Sequence, residues 1–317
     1  MVREELSAEQ IGRLLDREIS GYLGETLPPL LPDGPITVAM VREIDDRLRD
    51  QPPPQTAKIV FIEGPQGDDL GLRVHVAPGD AVILWIHGGG LFLGSADRDD
   101  AICQTLAEEQ HVSVVAVDYR LAPEHVYPAA VEDCYAALRW AGEQFGRVVV
   151  VGESAGGGLA AAVSLLSRDR GGPVAAAQVL HYPMLDDRGE SASSRALAAT
   201  AVWNRRLNEL GWRSYLGTQT ADQYAAAARA DDLTNLPPTY LDVGELDLFR
   251  DEVVDFAGRL ASASVTVELH VDPGAVHGFD RVAPDASISR IAHERRARFL
   301  RRMLGTGEQH AHLDVLQ

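Results

Sequence analysis

RVVVVGESAGGGLAAAVSLL, residues 147 to 166, decides how this chain folds. Four consecutive valines, Val148 to Val151, make a short β-branched run of the kind buried on both faces of a sheet. Leu159 to Leu166, rich in alanine, reads as a helix. Between them Gly152-Glu153-Ser154-Ala155-Gly156 must turn the backbone sharply, and glycines at 152 and 156 allow the turn and a close helix-to-strand approach. A serine at the tip of a strand-turn-helix has its hydroxyl held out for nucleophilic attack. Read alone, the same stretch also fits a glycine-rich turn binding phosphate at a helix N-terminus.

Outward from this stretch, similar apolar runs recur at 58–63, 72–76, 81–86, 112–118, 176–181, 239–243 and 265–271, giving eight strands with the first one. The first two lie close together and suit an antiparallel hairpin. The later ones alternate with amphipathic segments such as Val131, Cys134, Tyr135, Leu138 and Ala141, the pattern of a mostly parallel sheet with helices on both faces. Two stretches fall outside the alternation. Residues 1–55 read as two helices ending at Pro52-Pro53-Pro54, and 186–235 form a helical excursion between two strands. Both are expected to cap the catalytic domain of residues 56–305, with 306–317 as a loose tail.

The chain has 317 residues, is 45% hydrophobic and carries a formal charge of -18. Such a field repels a phosphate backbone, so no nucleic-acid partner is expected. The arginines at 290, 295, 296, 298, 301 and 302 interleave with Ile288, Ile291, Ala292, Phe299 and Met303, which reads as a solvated helix face over a core stripe. No apolar run reaches the roughly 18 residues that span a bilayer. Glu4, Glu5 and Glu9 interrupt any signal-like apolar segment, so a cytoplasmic, membrane-free protein is expected. Cys103 and Cys134 have no metal-binding spacing and read as buried thiols; neither metal nor organic cofactor is expected.

A second glycine-rich element, His87-Gly88-Gly89-Gly90, ends another strand. A carbonyl becoming tetrahedral develops charge on oxygen, and backbone N–H groups already aimed there stabilise it. Gly88, Gly89 and Ala155, which follows the nucleophile, are the expected donors, with His87 a structural residue holding the loop. The serine needs a base. Among ten histidines His277 is the best placed, on a loop beyond the last strand beside Gly278. The base needs an acid, and Asp247 follows the strand 239–243, with Glu245, Asp251 and Glu252 as nearby competitors. Ser154, Asp247 and His277 then run in the chain order of one catalytic architecture. Trp203, Trp212 and Tyr215 are placed to line an acyl pocket from the capping stretch, although aromatics in a helical insertion are more often simply core.

Taken together, His87-Gly88-Gly89-Gly90, Tyr119-Arg120-Leu121-Ala122-Pro123-Glu124, Gly152-Glu153-Ser154-Ala155-Gly156-Gly157, Asp247-Leu248-Phe249-Arg250-Asp251-Glu252 and His277-Gly278-Phe279 resemble the hormone-sensitive-lipase-like esterases, bacterial family IV of the α/β-hydrolase superfamily. The likeness runs over about residues 58 to 304 and keeps five motifs in the family's order. It implies an α/β-hydrolase fold with a helical cap, selects Asp247 as the triad acid, and implies a serine carboxylesterase for short- to medium-chain esters. Leu248, Glu153 and Gly158 depart from the residues frequent at those places, without removing a catalytic group. An amidase or a small-metabolite deacetylase on the same triad is the alternative. A ligand receptor, as in relatives whose triad is incomplete, fits less well because all three positions are filled. The strand at 265–271 would form an edge able to pair with a second copy, so a homodimer is also an expectation.

Overall fold

The computed structural model describes residues 5–26, 31, 34–47 and 57–306. Its centre is one eight-stranded sheet: β1 (Lys58–Glu63), β2 (Asp69–His75), β3 (Ala81–Ile86), β4 (Ser113–Val117), β5 (Arg147–Glu153), β6 (Ala177–His181), β7 (Thr239–Gly244) and β8 (Val267–Asp272). The strands lie in the order β1-β2-β4-β3-β5-β6-β7-β8. β1 and β2 form the expected antiparallel hairpin, β2 pairs antiparallel with β4, and every later pairing is parallel. All six residues of β3 and all five of β4 are buried, which explains why they read as continuous apolar runs without alternation.

Eleven helices surround the sheet among the described residues: α1 (Ala8–Gly12), α2 (Arg17–Thr26), α3 (Val38–Arg47), α4 (Asp100–Gln110), α5 (Ala129–Gln144), α6 (Ala155–Asp169), α7 (Ala192–Ala196), α8 (Arg205–Leu216), α9 (Arg250–Ser262), α10 (Phe279–Val282) and α11 (Ser287–Leu304). α5, α6 and α9 pack on one face, onto Leu84, Ile86, Val148 and Val150. α4 and α11 pack on the other, onto Trp85, Val149, Val151 and Tyr240. Successive β5 valines therefore serve opposite layers, and each fully buried aliphatic side chain contributes roughly 1.5–3 kcal/mol to holding them together. Cys103 in α4 and Cys134 in α5 are buried free thiols.

Two expectations need correction, and others fall outside the described residues. Among its described residues the N-terminal stretch has three helices rather than two, because Asp16 Oδ1 accepts from the N–H groups of Glu18 and Ile19 and starts α2 afresh. The prolines at 52 to 54, most of the proposed tail and parts of the first fifty residues lie outside the described residues. On α11 the arginine face is not wholly solvated. Arg296 is 4% exposed and bridges Asp242 of β7 and Asp280 of α10, whereas Ile291, expected in the core stripe, is 51% exposed. A buried arginine held by two carboxylates from distant segments is invisible to a helical-periodicity argument.

Helices of both irregular stretches lie beside the loops at the C-terminal edge of the sheet. From α3, the Arg42 guanidinium donates to the carbonyls of Phe92 and Ala122 and pairs with Glu124. α8 begins at Asn204, whose side chain caps Leu207 N–H, and ends at Gly217 with φ 58°. No helix among the described residues is long and apolar enough to cross a membrane.

Candidate active site

β5 passes into α6 through Ser154, whose φ of 53° and ψ of -117° are strained values for a residue with a side chain. The surroundings hold it there: Ser154 N–H donates to His181 O at the end of β6, and Ser154 O accepts from Met184 N–H and Gly158 N–H. α6 approaches β3 so closely that a Cβ on Gly156 would stand 2.1 Å from Ile86 O and 2.4 Å from His87 O. The glycine is required by contact, and the turn lifts the serine hydroxyl above the sheet edge.

His277 follows β8 by a short loop and reaches back over that edge. Its Nε2 lies 2.9 Å from Ser154 Oγ and its Nδ1 lies 2.7 Å from Asp247 Oδ2. A carboxylate only accepts, so Nδ1 carries the proton in this pair and Nε2 is left as the acceptor facing the serine hydroxyl. Asp247 is fully buried; its second oxygen, Oδ1, accepts Phe249 N–H at 2.9 Å. The imidazole is boxed by aromatic rings, Tyr182 at 5.0 Å and Phe249 at 5.1 Å, both edge-to-face, with Trp203 at 6.2 Å. Residues 154, 247 and 277 thus meet as the sequence predicts, from β5, the loop after β7 and the loop after β8.

The competing carboxylates do other work. Glu245 accepts Gly274 N–H, and Asp251 accepts Ser193 N–H. Glu252 is buried; it accepts Leu185 N–H and Asp186 N–H, and burial pushes its carboxyl well above the usual range.

The glycine loop after β3 lies against the serine turn. A Cβ on Gly88 would be 3.2 Å from Glu153 O and 3.5 Å from Ser154 Cβ, so this backbone runs directly alongside the nucleophile. Gly89 has φ 118°, and a Cβ there would meet Leu93 O at 2.3 Å. Ala155 is the first residue of α6, where a backbone N–H has no carbonyl partner inside its own helix. His87 is 2% exposed; its Nδ1 is 2.8 Å from Gly88 O and its ring stacks on Tyr119 at 4.1 Å. Tyr119 Oη in turn donates to His87 O at 2.9 Å. Burial lowers the His87 pKa, which keeps the ring neutral and suits a loop brace rather than a base.

Of the three aromatics expected in the pocket, only Trp203 is brought to this centre. A Cβ on Gly90 would meet its indole at 2.1 Å, and its ring also faces Phe92. Trp212 and Tyr215 pack on each other, and Tyr215 also meets Tyr127. Sequence reasoning did not single out Tyr182 or Phe249 as walls around the imidazole. Phe249 sits inside a motif whose acidic residues drew the attention, and Tyr182 follows a strand with no motif of its own.

A sheet with this strand order, a serine on the turn after β5 and a histidine beyond β8 define an α/β hydrolase. Residues 83–281 match the family described as the alpha/beta hydrolase fold. The chain belongs to that family, in its hormone-sensitive-lipase-like branch. It is 35% identical to Esterase LipI of Mycobacterium tuberculosis, the match covering 75% of this chain and 81% of the relative. It is 32% identical to an ethyl acetate hydrolase of Pseudomonas putida, over 68% of this chain and 73% of that one. Among solved structures a bacterial heroin esterase shares 37% identity and superposes with a TM-score of 0.82, covering 92% of this chain and 98% of its own.

Proposed function

We propose that this carboxylic ester hydrolase cleaves short- to medium-chain acyl esters through Ser154, His277 and Asp247 by way of an acyl-enzyme. The observation that carries the reading is the unbroken relay from Asp247 Oδ2 through both His277 nitrogens to Ser154 Oγ, at 2.7 and 2.9 Å.

In the reaction, His277 Nε2 takes the Ser154 proton as Oγ attacks the ester carbonyl carbon, and the buried Asp247 carboxylate stabilises the imidazolium that forms. The carbonyl π electrons move to oxygen, and the N–H groups of Gly88, Gly89 and Ala155 receive that charge as an oxyanion hole. Collapse expels the alcohol, protonated from His277. Water then attacks the acyl-serine with the same base, releasing the acid and restoring the hydroxyl. No metal or organic cofactor enters the cycle.

The short acyl preference rests on Trp203. Its indole presses on Gly90 and faces His277, so it narrows the space beside the reacting carbon. Similarity to an ethyl acetate hydrolase supports the same direction. We read the described part of residues 1–55, together with 186–235, as the cap that bounds this space, with Trp203 its contribution to the site. A series of p-nitrophenyl esters from acetyl to palmitoyl tests the reading. The expected kcat/KM is highest at octanoyl or below; a maximum at palmitoyl would overturn it.

A further inference from the structure

A cavity of about 410 Å³ opens between α4 and α11, on the sheet face behind the nucleophile turn. Its walls include Trp85, Ile102, Leu106, Val151 and Leu300, and its polar end includes His181, Glu153 and Arg281. Neither Ser154 nor His277 lines it. The volume falls in the range of small-molecule pockets, which are apolar with a few convergent polar groups.

Three observations go beyond a packing defect. His181 is 6% exposed, yet neither ring nitrogen has a hydrogen-bond partner among the described residues; Glu153 Oε1 stands 3.9 Å from Nδ1, beyond reach. A buried polar group without a partner destabilises the fold, and an occupant able to pair with it recovers that cost. The local charge is negative. Arg281 is held by Asp99 and Glu153, Arg296 by Asp242 and Asp280, and Glu109 adds a further carboxylate at the wall. Two arginines thus share five carboxylates, of which Glu109, Glu153 and Asp280 line the cavity, with His293 3.4 Å from Asp280 and His181 3.9 Å from Glu153 beside them. Finally, the apolar wall carries the Trp85 ring, whose Nε1–H is already committed to Asp99 at 2.7 Å.

The geometry points to a second small-molecule site for an aromatic or alicyclic amine. Its ring lies among Trp85, Leu106 and Leu300, and its ammonium donates to the unpaired nitrogen of His181 within reach of the surplus carboxylates. An anion of the same shape is disfavoured by that surplus.

The test uses calorimetric titration of the full chain with 2-phenylethylamine and with phenylacetate, repeated on Leu106→Phe and Ala297→Phe, which narrow the cavity from opposite walls. Thermal melting checks that both are folded. Saturable amine binding is expected, about tenfold or more tighter than phenylacetate and weakened at least as much by either folded variant, while p-nitrophenyl acetate turnover is retained. No saturable amine binding, equal binding of phenylacetate, or amine binding untouched by the wall substitutions overturns the assignment.

Discussion

His277 Nδ1 and Asp247 Oδ2 stand 2.7 Å apart, with the carboxylate wholly withdrawn from solvent and its other oxygen tied to Phe249 N–H. The carboxylate cannot rotate away without losing that amide, so it fixes which imidazole nitrogen carries the proton. Asp247→Asn replaces an obligate acceptor with a group that also donates, and the wrong tautomer then faces Ser154. The expected loss is about ten-thousandfold in kcat, with little change in KM, measured on p-nitrophenyl acetate.

The glycine loop gives a second prediction. Gly89→Ala puts a methyl 2.3 Å from Leu93 O at a residue with φ 118°, so the loop must shift and carry its N–H away from the developing oxyanion. A fall in kcat of about a hundredfold or more is expected, with the melting temperature changed far less than the rate. An unchanged kcat would remove Gly89 from that role.

Trp203→Ala removes the indole that leans on Gly90 and faces His277. The kcat/KM maximum in an acyl-length series is expected to move toward longer chains, with the acetyl ester losing rate because it is held less firmly. An unchanged profile would place the acyl group elsewhere.

Glu153, adjacent to the nucleophile, supplies a prediction about pH. Burial pushes its carboxyl up, but the Arg281 guanidinium overrides this and holds it down to about 2. A folded pKa below the unfolded value adds stability that is fully present above the unfolded pKa and is lost as pH falls toward 2. In Arg281→Met the buried carboxylate loses its partner and its pKa rises instead. The variant is expected to be about 2 kcal/mol less stable at neutral pH, the figure reflecting the partial exposure of Arg281. The gap should begin to close as pH falls through the variant's raised carboxyl pKa and finish closing toward about pH 2, where the Glu153 carboxyl protonates in the wild-type fold as well. Denaturant melts across that range give the comparison.

The strands were legible because runs such as Val148 to Val151 are buried on both faces and need no partner to be recognised. The serine turn was legible because Gly152 and Gly156 stand where backbone approaches backbone. What the sequence hid depends on long-range pairing. Arg296 looked like a surface residue until Asp242 and Asp280 were seen around it, and the Asp16 cap that starts α2 leaves no mark in the hydrophobic periodicity. Trp203, Trp212 and Tyr215 shared a plausible spacing, but Trp203, just ahead of α8, meets Gly90 and faces His277, whereas Trp212 and Tyr215 within α8 pack on each other.

The central claim is that Ser154 is an activated nucleophile, and covalent trapping tests it most directly. The chain is incubated with diethyl p-nitrophenyl phosphate and the adduct is located by peptide mass spectrometry. One diethylphosphoryl group on Ser154 is expected, absent in Ser154→Ala and formed far more slowly in His277→Ala. Stoichiometric labelling at another residue, or none at Ser154 in the folded wild-type chain, would contradict the account.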